Sequence, residues 1–238
     1  MSTHIVAMGG GGFSMAANGA PTSLDRYIVE LSGSPSPLVC FVPTASADSA
    51  PYINKFLMAY SGLGVRTMVL TLWQGAAESV ARLPDADVFV VGGGNTVNLL
   101  ALWEAHGVSR LFRRIARDRS RNTVFSGLSA GAACWFEGCL TDGFGDLRGW
   151  RGGLGLLSGS FCPHLDGEDR GAMYTQTVAS GVIPGGYAVD DGAALHFVDG
   201  TLNKIIAERE GPHALHVMPS SEPTSSGVLS ETLVPEVL

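Results

Sequence analysis

Six short runs of apolar, largely β-branched residues recur along the chain, with helix-patterned segments between them. This alternation constrains the fold more than any other feature. The runs are His4–Met8, Leu38–Val42, Val65–Leu70, Asp87–Val91, Asn122–Ser126 and Tyr187–Val189. The helical segments lie near Thr22–Leu31, Pro51–Ser61, Thr96–Ala105, Ser109–Arg119, Ser129–Glu137 and Arg170–Ala179. Strands that do not alternate apolar with polar residues are buried on both faces. Strand and helix in turn imply βαβ units, and so an α/β fold: a mostly parallel central sheet with helices on both faces. With 238 residues, no internal repeat and no composition break, the chain reads as one α/β domain over 1–238. The Gly-rich stretch Thr141–Ser160 reads as a hairpin or irregular excursion, and the Ser/Pro-rich stretch Pro219–Gly227 as a loop before a last short strand.

Composition then removes several function classes. The net charge is −7, which disfavours nucleic acid as a partner unless basic residues are segregated. The one Arg-rich run, 110–121, places Val108, Leu111, Phe112 and Ile115 at helical spacing, so its arginines are read as a solvated helix face. Cys40, Cys134, Cys139 and Cys162 form no CxxC pattern and are read as reduced thiols. The N-terminal MSTHIVAM lacks the basic region of a signal peptide, and no apolar run reaches membrane-spanning length. The expectation is a cytoplasmic protein with no membrane partner, monomeric or homodimeric.

The chemistry concentrates where strands end. GLSAG at 127–131 fits G-x-S-x-G, with Ser129 between a strand and a helix. There the glycines allow a sharp turn, the hydroxyl is left exposed, and the amide of Ala130 can help hold an oxyanion. A helix N-cap would use the same residue type, so the pattern alone leaves both roles open. A serine hydroxyl needs a base. Of six histidines, His164 in CPHLDGE (162–168) sits at a strand end before a polar loop. Asp190 and Asp191, at another strand end, offer a carboxylate to fix the imidazole tautomer. The order Ser, His, Asp differs from the Ser, Asp, His of α/β-hydrolases. A second glycine turn, VGGGNT at 91–96, can supply another amide donor, Gly94. Phosphate binding is the rival use of such turns. However, VGGGNT lacks the Lys-Ser/Thr of a P-loop, and MGGGGFS at 8–14 has Ser14 where a third dinucleotide-motif glycine would stand.

Taken together, the motifs AMGGGGFSM (7–15), FVPTAS (41–46), VGGGNT (91–96), GLSAGA (127–132), CPHLDGE (162–168) and DDGAAL (190–195) resemble the peptidase E family of serine peptidases, which includes the cyanophycinases. The resemblance runs over nearly the whole chain. It implies a fold like class I glutamine amidotransferases, a flavodoxin-like three-layer sandwich; separately, no cofactor or metal is expected. It matches Ser129 to the family nucleophile and His164 to the family histidine. The family's acidic member is a glutamate before a glycine, and here Asp191 stands before Gly192, one methylene shorter. Asp190 stays open as the alternative.

The implied activity is hydrolysis of dipeptides with an N-terminal aspartate. Arg170 resembles a family arginine that would pair with the substrate carboxylate, and Asn95 offers a second donor. Asp166, Glu168 or Asp169 would receive the α-amino group. Acidic neighbours around Arg170 would equally serve only to neutralise it. Alternatives are a hydrolase of the same fold with another specificity, such as β-aspartyl peptides or general aminopeptidase substrates, and a non-catalytic binding protein.

Overall fold

The computed structural model describes residues 1–220 and 227–238. Its first sheet contains β1 (Thr3–Met8), β2 (Leu38–Val42), β3 (Arg66–Val69), β4 (Val88–Val91), β5 (Thr123–Leu128), β10 (Ala193–Val198), β11 (Thr201–Ala207) and β14 (Glu236–Val237). The order across it is β14-β11-β10-β1-β5-β4-β2-β3. From β1 to β3 every neighbour is parallel, whereas β10 joins β1 and β11 antiparallel.

Residue alternation explains why these strands read as unbroken apolar runs. Val88 and Val90 point to one face of the sheet, Phe89 and Val91 to the other, and all four are buried. On the Val88 face lie Phe13, Leu24, Ile28, Phe56 and Tyr60. They come from α1 (Gly12–Met15), α2 (Ser23–Glu30) and α3 (Ala50–Ser61). On the Phe89 face lie Leu99, Trp103 and Phe112, from α5 (Thr96–Ala105) and α6 (Val108–Ile115). The short α4 is Ala76–Ala81. Helices on both faces and a mixed, mainly parallel sheet make this the expected α/β sandwich.

A second sheet was not legible as such. It contains β6 (Phe136–Thr141), β7 (Arg148–Trp150), β8 (Leu157–Pro163), β9 (Gly186–Val189), β12 (Ala214–Pro219) and β13 (Val228–Leu233), in the order β13-β12-β9-β8-β6-β7. Phe136, Cys139 and Phe161 of this sheet share one core with Phe89 and Phe125 of the first, so the sheets are packed together. On its far side α8 (Arg170–Ala179) buries Tyr174 and Val178 against Leu140, Cys162 and Val217.

Several expected boundaries move. The helix read over Ser129–Glu137 is a single turn, α7 (Ala130–Ala133), and Phe136 already opens β6. Cys134, Trp135 and Phe136 are all fully buried, a run too long for one stripe of a surface helix. The helix read to Arg119 stops at Ile115. The Thr141–Ser160 excursion does contain a hairpin partner, β7, and the start of β8. His216 lies in β12 and stacks on Tyr187 of β9. Of the Pro219–Gly227 loop, residues 221–226 lie outside the described residues; Val228 then opens β13. No described helix is long and apolar enough to cross a membrane.

Candidate active site

Three side chains meet where the two sheets come together. Ser129 Oγ lies 2.9 Å from His164 Nε2, and His164 Nδ1 lies 2.6 Å from Asp191 Oδ1. Ser129 follows β5 of the first sheet. His164 follows β8 and Asp191 follows β9, which are parallel neighbours in the second, with Pro163 opposite Val189. The Leu165 amide donates to the Val189 carbonyl at 3.0 Å and ties the two exits together. The constellation depends on how the sheets dock, because no single sheet holds all three residues.

Local geometry at the serine follows from its glycines. Ser129 has φ 54° and ψ −116°, and His164 has φ 55°. Such backbone is costly for residues with a side chain, about 1–3 kcal/mol each, and persists only when the surroundings enforce it. They do here. The Ser129 amide donates to the Met8 carbonyl, and the Ser129 carbonyl accepts from Ala132 and Ala133 at 3.0 and 2.9 Å. A Cβ on Gly127 would lie 2.0 Å from the Gly131 oxygen, and one on Gly131 would lie 2.2 Å from the Val91 oxygen. Both motif glycines are therefore steric necessities. Ser129 precedes α7 but makes no side-chain cap bond; its hydroxyl is turned to His164. The capping alternative is not realised. Since α7 is one turn long, little helix dipole reaches the site, and the useful groups are individual amides.

Those amides can be sorted by their bonds. In the turn after β4, Gly92 N–H donates to Val42 O at 3.0 Å, Gly93 N–H to the Tyr52 hydroxyl at 3.4 Å, and Asn95 N–H to Ala45 O at 2.8 Å. Among the described residues, the Gly94 N–H alone of these four has no acceptor. Among the described residues the Ala130 N–H likewise has no acceptor. A Cβ on Gly93 would touch Ser129 Cβ at 3.5 Å, so this turn flanks the serine.

Asp191 is placed by the first glycine run. Gly10 pairs with it in an isolated bridge, and Gly192 N–H donates to Gly10 O at 3.0 Å. A Cβ on Gly10 would fall 2.1 Å from Asp191 Oδ1. The 9–12 turn thus seats a carboxylate. Asp191 N–H donates to Asp166 Oδ1 at 3.1 Å. Asp190 goes elsewhere: it is 5% exposed, and its Oδ2 accepts from His213 N–H at 2.8 Å and lies 2.5 Å from His213 Nδ1.

Several of the expected binding residues have some of their bonding capacity already used. Arg170 opens α8, with Nη1 3.5 Å from Pro163 O and Nη2 3.3 Å from Asp142 Oδ2. Asn95 caps α5 by accepting from Asn98 N–H, and its Nδ2 donates to Gly143 O at 2.9 Å. Both therefore hold the Asp142–Gly143 turn. Asp166 supports Asp191, Glu168 is exposed, and Asp169 is the left-handed residue before α8. Sequence reasoning missed Asp142, Tyr52 and Gly10. Gly10 carried a signal in its glycine run, whereas the other two sit among ordinary neighbours. Cys162 shares its strand with the approach to His164, but burial pushes its thiol up to about 12. It is no thiolate at neutral pH.

Comparison with known proteins agrees with this architecture. Residues 5–205 match peptidase family S51. The chain is 44% identical over 217 residues to the uncharacterized peptidase YgaJ of Bacillus subtilis (strain 168), covering 90% of this chain and 92% of that protein. Two crystal structures share the fold at low identity. One, described as a peptidase E protein from Listeria monocytogenes EGD-e, has a TM-score of 0.60 and 18% identity, over 85% of this chain and 98% of that one. The other, a peptidase from an acI-B1 actinobacterium, has a TM-score of 0.66 and 14% identity, over 99% and 95%.

Proposed function

As the chain belongs to peptidase family S51 and is a peptidase, we propose that it is a serine exopeptidase that releases N-terminal aspartate from dipeptides and other short peptides. The observation that carries this reading is the 2.9 Å contact between Ser129 Oγ and His164 Nε2, with Asp191 behind the imidazole.

In this mechanism Asp191 accepts from His164 Nδ1–H and leaves Nε2 free to take the serine proton. Ser129 Oγ attacks the peptide carbonyl carbon. The carbonyl oxygen gains the negative charge and is held by the Gly94 and Ala130 amides. The tetrahedral species expels the leaving amine, which takes the proton from His164 Nε2. Water then attacks the acyl-enzyme as His164 Nε2 takes one of its protons; the second tetrahedral species breaks its bond to Ser129 Oγ, which takes that proton back from His164, and the product carboxylate leaves.

The aspartate preference rests on Arg170. Its side chain is only 18% exposed, so its charge is poorly hydrated and gains from a carboxylate partner. The free oxygen of Asp166 and the carboxylate of exposed Glu168 are the proposed acceptors for the α-amino group, and the second amide hydrogen of Asn95 is a further donor. Substituting Arg170→Ala tests this. KM for Asp-Leu should rise about 10- to 100-fold, the range for a hydrogen bond to a charged group, while Ala-Leu is unaffected. Equal effects on both peptides would sink the aspartate preference.

One observation favours a second reading, a general aminopeptidase at the same site. Arg170 already faces Asp142, and a guanidinium neutralised within the protein would read substrate less selectively. Flat turnover across Asp, Ala and Leu dipeptides would select that reading.

A further inference from the structure

The turn that carries Gly94 consists of three consecutive glycines, the most flexible backbone available. An oxyanion donor must nevertheless be fixed before the reaction, because its value lies in needing no reorganisation. Something outside the turn has to supply the rigidity.

The bonds on either side of Gly94 show what does. The peptide unit before it is held through Gly93 N–H by the Tyr52 hydroxyl, and the one after it through Asn95 N–H by Ala45 O. The intervening unit, which bears the Gly94 N–H, is left between two anchored planes. Tyr52 itself has little freedom. Its ring stacks on Phe13 at 5.7 Å and meets Phe41 edge-on at 5.1 Å. A Cβ on Gly92 would lie 2.8 Å from Tyr52 Cε1, so the ring lies directly against the turn. Burial raises the pKa of its hydroxyl, which keeps the phenol protonated.

We propose that Tyr52 is a positioning residue that fixes the Gly92–Gly94 turn, so that the Gly94 amide faces the oxygen developing charge during attack by Ser129. The proposal builds on the serine-peptidase reading. Tyr52 acts through Gly93 and touches no reacting atom, so its effect belongs to the transition state and not to ground-state binding.

The test is Tyr52→Phe, which keeps the ring packing and removes only the hydroxyl. The probe is an alkyl fluorophosphonate, whose capture by a serine passes through an anionic oxygen and does not depend on knowing the substrate. Wild type, Tyr52→Phe and Ser129→Ala are compared by the maximal rate of phosphonylation and the half-saturating concentration. The expected result is a fall of about 10- to 100-fold in the maximal rate with half-saturation nearly constant, as for a misaligned oxyanion donor. A Tyr52→Phe rate within about twofold of wild type, with Ser129→Ala unlabelled, would overturn the role of Tyr52 and leave the serine reading standing. Equal labelling of wild type and Ser129→Ala, or none of either, would overturn both.

Discussion

Asp190 and Asp191 are adjacent in the chain and serve different histidines: Asp191 Oδ1 lies 2.6 Å from His164 Nδ1, and Asp190 Oδ2 lies 2.5 Å from His213 Nδ1. Backbone alternation at the end of β9 sends their side chains apart. Two carboxylates that are equivalent on paper thus have separable roles.

Asp191→Asn should lower kcat by about 10³- to 10⁴-fold, because the amide cannot hold the same imidazole tautomer or stabilise the imidazolium. Asp190→Asn should keep kcat within about tenfold. It should instead lower Tm by several degrees, since weakening a buried hydrogen-bonded charge costs about 1–3 kcal/mol. Kinetics and thermal melts on the two variants check this. A reversed pattern would move the catalytic assignment to Asp190.

Gly10→Ala should behave as a partial loss of Asp191. The added methyl would overlap Asp191 Oδ1 at 2.1 Å and push the carboxylate off His164. Misplacement of about 1 Å is enough to lower kcat about 100-fold, with KM little changed. Steady-state kinetics decide, and unchanged kcat would mean the turn yields and Asp191 stays in place.

Far from this centre, His196 bridges His4 (3.0 Å) and the Tyr27 hydroxyl (2.8 Å). Burial first, then the charges of His4 and Lys204, lower its pKa to about 4, and burial lowers that of His4 as well. The unfolded chain, with histidine near 6.5, therefore binds more protons than the folded one between about pH 4 and 6.5. Stability from this pair is fully present above pH 6.5 and is lost as pH falls toward 4. His196→Gln should flatten that part of a urea-unfolding profile against pH. An unchanged slope would place the acid sensitivity elsewhere.

Much of the candidate site's placement was legible because glycines and strand ends leave local marks. Ser129 stands between Gly127 and Gly131, and His164 and Asp191 follow apolar runs that become β8 and β9. What was not legible depends on partners distant in sequence. The choice of Asp191 over Asp190 is decided by His213, and by the room left at Gly10. The short α7 and the second sheet escaped because Trp135 and Phe136 are buried by docking against the first sheet's Phe125 and against Phe197, which no local pattern encodes. Asp142 gains its meaning only when the chain returns it to Arg170.

The proposed role of Ser129, a nucleophile in a site that reads an N-terminal acid, is open to direct test. The most direct measurement is hydrolysis of Asp-Leu, Ala-Leu and Leu-Leu by wild type and Ser129→Ala in parallel. Wild type should cleave Asp-Leu in preference to the other two, and the variant should lose about a thousandfold or more of that activity. Cleavage that survives Ser129→Ala, or no cleavage of any of the three by wild type, would contradict that role.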